Sequence, residues 1–230
     1  MSLSNSNAKS ALIVWGGWEG HEPRPVAELF ANALTKHGFR VEVVDTLDAF
    51  LDEDKLHSLS LIVPVWTMGT ITNEQLTPVL RAVEGGTGLA GCHGGMCDSF
   101  RTATEWQWMT GGQWVAHPGN DGVEYSVRIT NAEHFITQGA PREFMVTSEQ
   151  YYLHTDPSNV TLAVTPFPTA PGPHSPNGAF DMPVIWTRLW GQGRVAYNSL
   201  GHHADIVAQP PILSLMTRAM LWAAHAETAA

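Results

Sequence analysis

The stretch GLAGCHGGM, Gly88 to Met96, decides how this chain is read. A short apolar run ends in glycines and is followed by a helix-like segment, so it reads as a strand-to-turn junction with two reactive residues, Cys92 and His93, at the turn. A nucleophile elbow lifts one side chain above a sheet and needs small residues two places before and after it, because backbone and neighbours come too close for larger groups. Centred on Cys92 the frame is Ala90-Gly91-Cys92-His93-Gly94; centred on His93 it is Gly91-Cys92-His93-Gly94-Gly95. Both frames satisfy the steric rule, so sterics alone do not choose between a thiol and an imidazole at the tip.

Upstream of the junction the chain alternates strands and helices. Ala11 to Trp15 is a continuous apolar run, as expected of a strand buried on both faces. Val26, Leu29, Phe30, Ala33 and Leu34 form one stripe of a helix spanning Pro25 to His37, stopped by Gly38. Val41, Val43 and Val44 make a second strand, a short helix covers Asp52 to Leu59, and Leu61 to Trp66 is a third strand. A helix begins near Thr72 and runs to Glu84, and Gly88 to Cys92 is the fourth strand. This order predicts an α/β fold with an open, mostly parallel sheet flanked by helices, of the flavodoxin or amidotransferase type. Ligands of such sheets bind at the carboxyl ends of the strands. Those ends carry Gly16-Gly17 with His21, Asp45, Trp66-Thr67 and the GCHGG turn.

The second half reads as β-rich excursions: Val123 to Ile129, Val160 to Val164, Val184 to Trp190 and Gly193 to Ser199, with a Pro-rich loop from Pro166 to Gly178. A closing helix over Pro211 to Ala224 buries Ile212, Leu215, Met216 and Ala219. Residues 11–230 are expected to form one domain after a frayed polar tail, residues 1–10.

At 230 residues, 43% hydrophobic and 15% charged, the chain can bury a large core. Its 12 Lys and Arg against 22 Asp and Glu give a net charge of −10, which argues against a nucleic-acid partner. No apolar stretch approaches membrane-spanning length. Cys92 and Cys97 do not form a zinc or disulfide signature, and reduced thiols point to the cytoplasm.

The thiol frame draws on Gly201-His202-His203-Ala204-Asp205, where His203 and Asp205 would serve Cys92 as base and orienting carboxylate of an amidohydrolase. That order, Cys then His then acid, matches class I glutamine amidotransferases. The His93 frame has a broader counterpart. GCHGG resembles the G-x-H-[GS]-G elbow of the ThuA-like, or trehalose-utilisation, family, an amidotransferase-like branch without the cysteine nucleophile. GGWEGHEPRPVAELFANAL (Gly16 to Leu34) resembles that family's first loop and helix, including His21. VTSEQYYLH (Val146 to His154) resembles its acidic-plus-tyrosine segment, placing Glu149 and Tyr151 or Tyr152 in those roles. GRVAYNSLGHH (Gly193 to His203) resembles its strand-Gly-His motif, with His202 in the matching place, and LMTRAMLWAA (Leu215 to Ala224) its closing helix. The third strand's loop, VWTMGTIT, lacks a histidine that some relatives carry there.

The resemblance implies a role in disaccharide metabolism, on an oxidised (keto) sugar beside a dehydrogenase partner. His93, Glu149 and His202 then form an acid/base set for proton abstraction next to a carbonyl. His21, Trp18, Trp66, Tyr151 and Gly94 are the expected substrate contacts. No cofactor is required by this reading. A rival reading makes His21, His93 and His202 ligands of a divalent metal such as zinc, in a metal-binding or non-catalytic sugar-binding protein; a homo-oligomer is left open.

Each residue also has a plainer reading. His93 at a Gly-flanked tip is hard to explain as core filler, because the tip is the place this fold exposes. Cys92, one position back, points the other way and packs as a small hydrophobe. Glu149 could be a strand-end acid, His21 a polar cap and His203 a carbonyl partner; His117 and His154 carry the weakest signal. Most of the 9 tryptophans are core, but Trp18, Trp66 and Trp114 fall on loops at the active edge, where aromatic faces suit sugar rings.

Overall fold

The computed structural model describes residues 9–227. The first half follows the expected alternation: β1 (Ser10–Gly17), α1 (Pro23–Lys36), β2 (Arg40–Val44), α2 (Glu53–Ser58), β3 (Leu61–Thr67), α3 (Asn73–Glu84) and β4 (Gly88–Cys92). Leu12, Ile13 and Val14 of β1 are fully buried, each worth roughly 1.5–3 kcal/mol of transfer free energy. α1 sets Val26, Ala27, Phe30 and Leu34 against the sheet. α3 starts where Thr72 and Gln75 cap each other reciprocally, which satisfies two backbone N–H groups that a helix start leaves open. The tail expected over residues 1–10 lies mostly outside the described residues; Ser10 instead opens β1, paired with Arg40.

Past the elbow come α4 (Gly94–Cys97), α5 (Thr104–Thr110), β5 (Gly112–Ala116), β6 (Val123–Ile129), β7 (Glu143–Ser148), β8 (Tyr152–Thr155), β9 (Val160–Phe167), β10 (Phe180–Trp190), β11 (Gly193–Asn198), α6 (Ala204–Val207) and α7 (Pro210–Ala223). The large sheet has nine strands in the order β2-β1-β3-β4-β11-β10-β9-β6-β7. The pairings from β2 to β11 are parallel, and those from β11 to β7 antiparallel. The β-rich second half is therefore mostly an extension of the same sheet, because β10 carries apolar side chains to both faces (Val184, Ile185 and Trp186 are buried) and needs a strand on each side. Among the described residues, only β5 and β8 pair apart, as a two-stranded ribbon. β9 runs on through Phe167, so the Pro-rich loop begins later than its composition indicates. β5, β7 and β8 escape sequence reading: β7 lies at the sheet edge with Met145 exposed, which blurs the alternation that marks a strand.

The parallel strands end on one edge: Gly17, Thr67, Cys92 and Asn198 lie at the carboxyl ends of β1, β3, β4 and β11. Beneath, α7 packs on β4 so closely that a Cβ at Gly88 would stand 2.2 Å from the Ala223 carbonyl oxygen. Backbone cannot swing away as a side-chain end can. Gly88→Ala is expected to destabilise the fold by about 1–3 kcal/mol, read as a lower midpoint in thermal or urea denaturation. No helix among the described residues is long and apolar enough to cross a membrane.

Candidate functional site

His93 follows β4 in the left-handed half of backbone space, φ +46° and ψ −138°, the strained turn an elbow requires. Its backbone is clamped on both sides. The His93 N–H donates to the Asn198 carbonyl at 2.7 Å, and the Tyr197 hydroxyl donates to the His93 carbonyl at 3.0 Å. Small neighbours make the turn fit: a Cβ at Gly91 would meet Met96, and one at Gly95 would meet the Val65 backbone. His93 is therefore the tip residue. It is not exposed, however, since only 1% of its surface is accessible. The segment Glu149–Tyr151 lies over it, and the Tyr151 ring stacks on the imidazole with centroids 3.9 Å apart.

That covering segment is anchored from several sides. The Tyr125 hydroxyl donates to the Glu149 carbonyl at 3.0 Å. The Gln150 amide donates to Thr165 Oγ1 and the Pro166 carbonyl, and its oxygen accepts from Thr169 N. Glu149 thereby reaches the elbow from the far end of the sheet.

Three imidazole nitrogens converge on one oxygen of this buried carboxylate. Glu149 Oε2 lies 3.1 Å from His93 Nε2, 3.2 Å from His202 Nδ1 and 3.8 Å from His21 Nε2. Each ring comes from the end of a different parallel strand, β4, β11 and β1 respectively. Behind them, His93 Nδ1 faces the Ser199 carbonyl at 2.8 Å and His21 Nδ1 faces Thr67 Oγ1 at 2.8 Å. The two outer loops are tied together where Ala204 N donates to Glu22 Oε2. The other carboxylate oxygen, Glu149 Oε1, faces His117 Nε2 at 3.6 Å.

Burial holds the His93 imidazole down at about 4, with the Glu149 hydrogen bond pulling against it, so the ring is neutral at pH 7. Burial alone would raise the Glu149 carboxyl, but contacts from His202, His21 and His93 outweigh it and hold the group well below the usual carboxylate range. The site is a persistent carboxylate among imidazoles.

The other expected residues take different places. Gly94 presses on the His21 ring, where a Cβ would come within 2.5 Å, so its bareness seats His21. Trp18 is exposed and meets His21 edge-on at 4.8 Å. Trp66 packs over Gly16 and Gly69, with its ring 2.5 Å from the Cβ position of Gly16. The space between His21, His93, Thr67 and Cys92 is only about 10 Å³. A groove of about 460 Å³ opens instead beside Trp114 and His117, rimmed by Pro118 to Asn120 and Pro171 to His174. His117 thus borders both the groove and the carboxylate. Sequence reading gave it little weight, because it sits in an irregular loop after β5 with no motif around it.

The thiol alternative does not assemble. Cys92 is buried and desolvation pushes its thiol up to about 12. His203 stacks on His202 with centroids 3.9 Å apart, and the Asp205 carboxylate accepts from Ile206 N. Neither is held as a partner of Cys92. At pH 8 native Cys92 is expected to resist iodoacetamide, read by intact mass, and to alkylate only after denaturation; rapid native alkylation would contradict this placement.

This architecture, a mixed α/β sheet with an elbow after the fourth strand, is that of the amidotransferase-like fold. A glutamine amidotransferase from Thermotoga maritima matches it at 12% identity with TM-score 0.51, over 84% of this chain and 75% of that one. The family model for ThuA, trehalose utilisation, matches residues 10–223, and the chain belongs to that family. A ThuA-like protein from Bacteroides uniformis shares the fold at 18% identity and TM-score 0.77, over 97% of this chain and 94% of that one. A second, from Parabacteroides merdae, does so at 17% identity and TM-score 0.70, over 94% and 90%. No curated protein sequence matches the chain.

Proposed function

We propose that this trehalose utilisation-type protein moves a proton on a carbohydrate, an oxidised (keto) disaccharide or related sugar, at the carbon next to the carbonyl. The observation that carries the reading is the two-sided use of Glu149. Its Oε2 is surrounded by His21, His93 and His202, while its Oε1 faces His117 at the groove.

A carboxylate held far below neutral pH is a weak base, so Glu149 orients and charges the site while imidazoles move the proton. His93 and His202 lie behind it. His117, with a buried Nδ1 that has no hydrogen-bond partner, is the ring nearest the open groove. The groove is of the size of small-molecule sites, and Trp114 offers the aromatic wall such sites favour. The Arg101 guanidinium lies over that indole, 4.5 Å from the ring centroid. Trp18, Tyr151 and Trp66 belong to the surround of the centre rather than to the groove lining.

A keto sugar must be made by oxidation, so a dehydrogenase belongs upstream of this chain. The two free buried cysteines fit a reducing, cytoplasmic setting.

The reaction class is tested in deuterated water with an oxidised disaccharide, following by NMR the loss of the proton signal next to the carbonyl. The native chain is expected to catalyse the exchange. His117→Ala should slow it about 10²–10⁴-fold, and Glu149→Gln should abolish it. A native chain that leaves the signal at its uncatalysed rate overturns the reading.

A further inference from the structure

We propose that His21, His93, Glu149 and His202 bind one divalent cation, with the ligand preference of zinc. The inference concerns the same centre as the sugar reading above and deepens it.

The geometry of the donors comes first. The ligand atoms of all four residues lie within 4.8 Å of one another. Zinc bonds of about 2.0–2.1 Å in tetrahedral geometry set ligand atoms about 3.4 Å apart. The distances to Glu149 Oε2, 3.1, 3.2 and 3.8 Å, bracket that spacing.

Hydrogen-bond bookkeeping gives the second support. The Ser199 carbonyl can only accept, so His93 Nδ1 donates there and the ring turns Nε2 toward Glu149 Oε2, 3.1 Å away. His202 Nδ1 is buried at the same oxygen with no hydrogen-bond partner, in a residue only 5% exposed. A buried ring nitrogen without a partner is costly, and a cation held between it and Glu149 Oε2 would satisfy it.

The surroundings are also those of a ligand cage. His93 and His21 each use their far nitrogen on a fixed oxygen, Ser199 O and Thr67 Oγ1, as rings that hold metals do. The space beside His21 and His93, lined also by Thr67, Cys92 and Gly95, is only about 10 Å³, so no sugar enters behind the rings. Three imidazoles with one carboxylate favour zinc and its transition-metal neighbours over magnesium or calcium. A cation here would leave Glu149 Oε1 and His117 facing the groove.

The test uses the full chain purified without a histidine tag, stripped with chelator, then titrated with zinc or cobalt. The expected results are one zinc per chain by elemental analysis and the visible absorption of tetrahedral cobalt. Glu149→Gln, shown folded by circular dichroism, should lose stoichiometric uptake. Thr67→Ala touches no ligand atom directly and should weaken zinc binding about 10–100-fold, which keeps the test decisive should Glu149→Gln fail to fold. A stripped native chain that takes up neither metal, or unchanged affinity in Thr67→Ala together with retained zinc in Glu149→Gln, overturns the site. Stoichiometric zinc in a chain that catalyses no proton exchange overturns only the sugar reading. Exchange by a chain that takes up no metal overturns only the metal site.

Discussion

The Glu149 carboxylate, buried at the carboxyl edge of the sheet with three imidazole nitrogens within 3.8 Å of one oxygen, is the contact on which the arrangement of this edge depends. A charge taken out of water is tolerated only when polar groups surround it. Here those groups arrive from the loops after β1, β4 and β11, so a single side chain ties three loops together above strand ends that the sheet already aligns. The glycines serve the same end. Gly94 lets His21 approach, Gly91 and Gly95 let the elbow fold tightly against Met96 and Val65, and the turn at His93 is held by Asn198 and Tyr197.

The same elbow places the thiol of this amidotransferase-like fold away from the carboxylate centre. With His93 at the tip, Cys92 points into the core, where burial keeps its thiol protonated. The histidine at the tip is itself shielded by Tyr151 and buried. It contacts Glu149, whose second oxygen faces His117 at the groove.

Much of this was legible in the sequence, and the exceptions have physical causes. The apolar runs of β1 and β3 and the capping residues of α3 fix the parallel half because local pattern and burial agree there. GCHGG announces an elbow, and the resemblance to the trehalose-utilisation family singled out His21, Glu149 and His202, which the fold brings within a few ångströms of His93. The burial of His93 was not legible: what covers the tip is a segment 56 residues away in sequence, and its approach depends on an antiparallel extension that includes an exposed edge strand. His117 was hidden for the same reason, since its meeting with Glu149 is set by the β5–β8 ribbon and by no local spacing. The seating of the His21 ring on Gly94 leaves no mark in the sequence either, because it is a contact between residues far apart along the chain.

That one carboxylate organises the three imidazoles is tested most directly by ¹⁵N NMR of labelled histidine side chains, comparing the native chain with Glu149→Gln at neutral pH. The account predicts that His21, His93 and His202 all change their ring-nitrogen shifts while exposed His154 does not. Spectra in which the three buried rings are indifferent to the loss of that charge would contradict it.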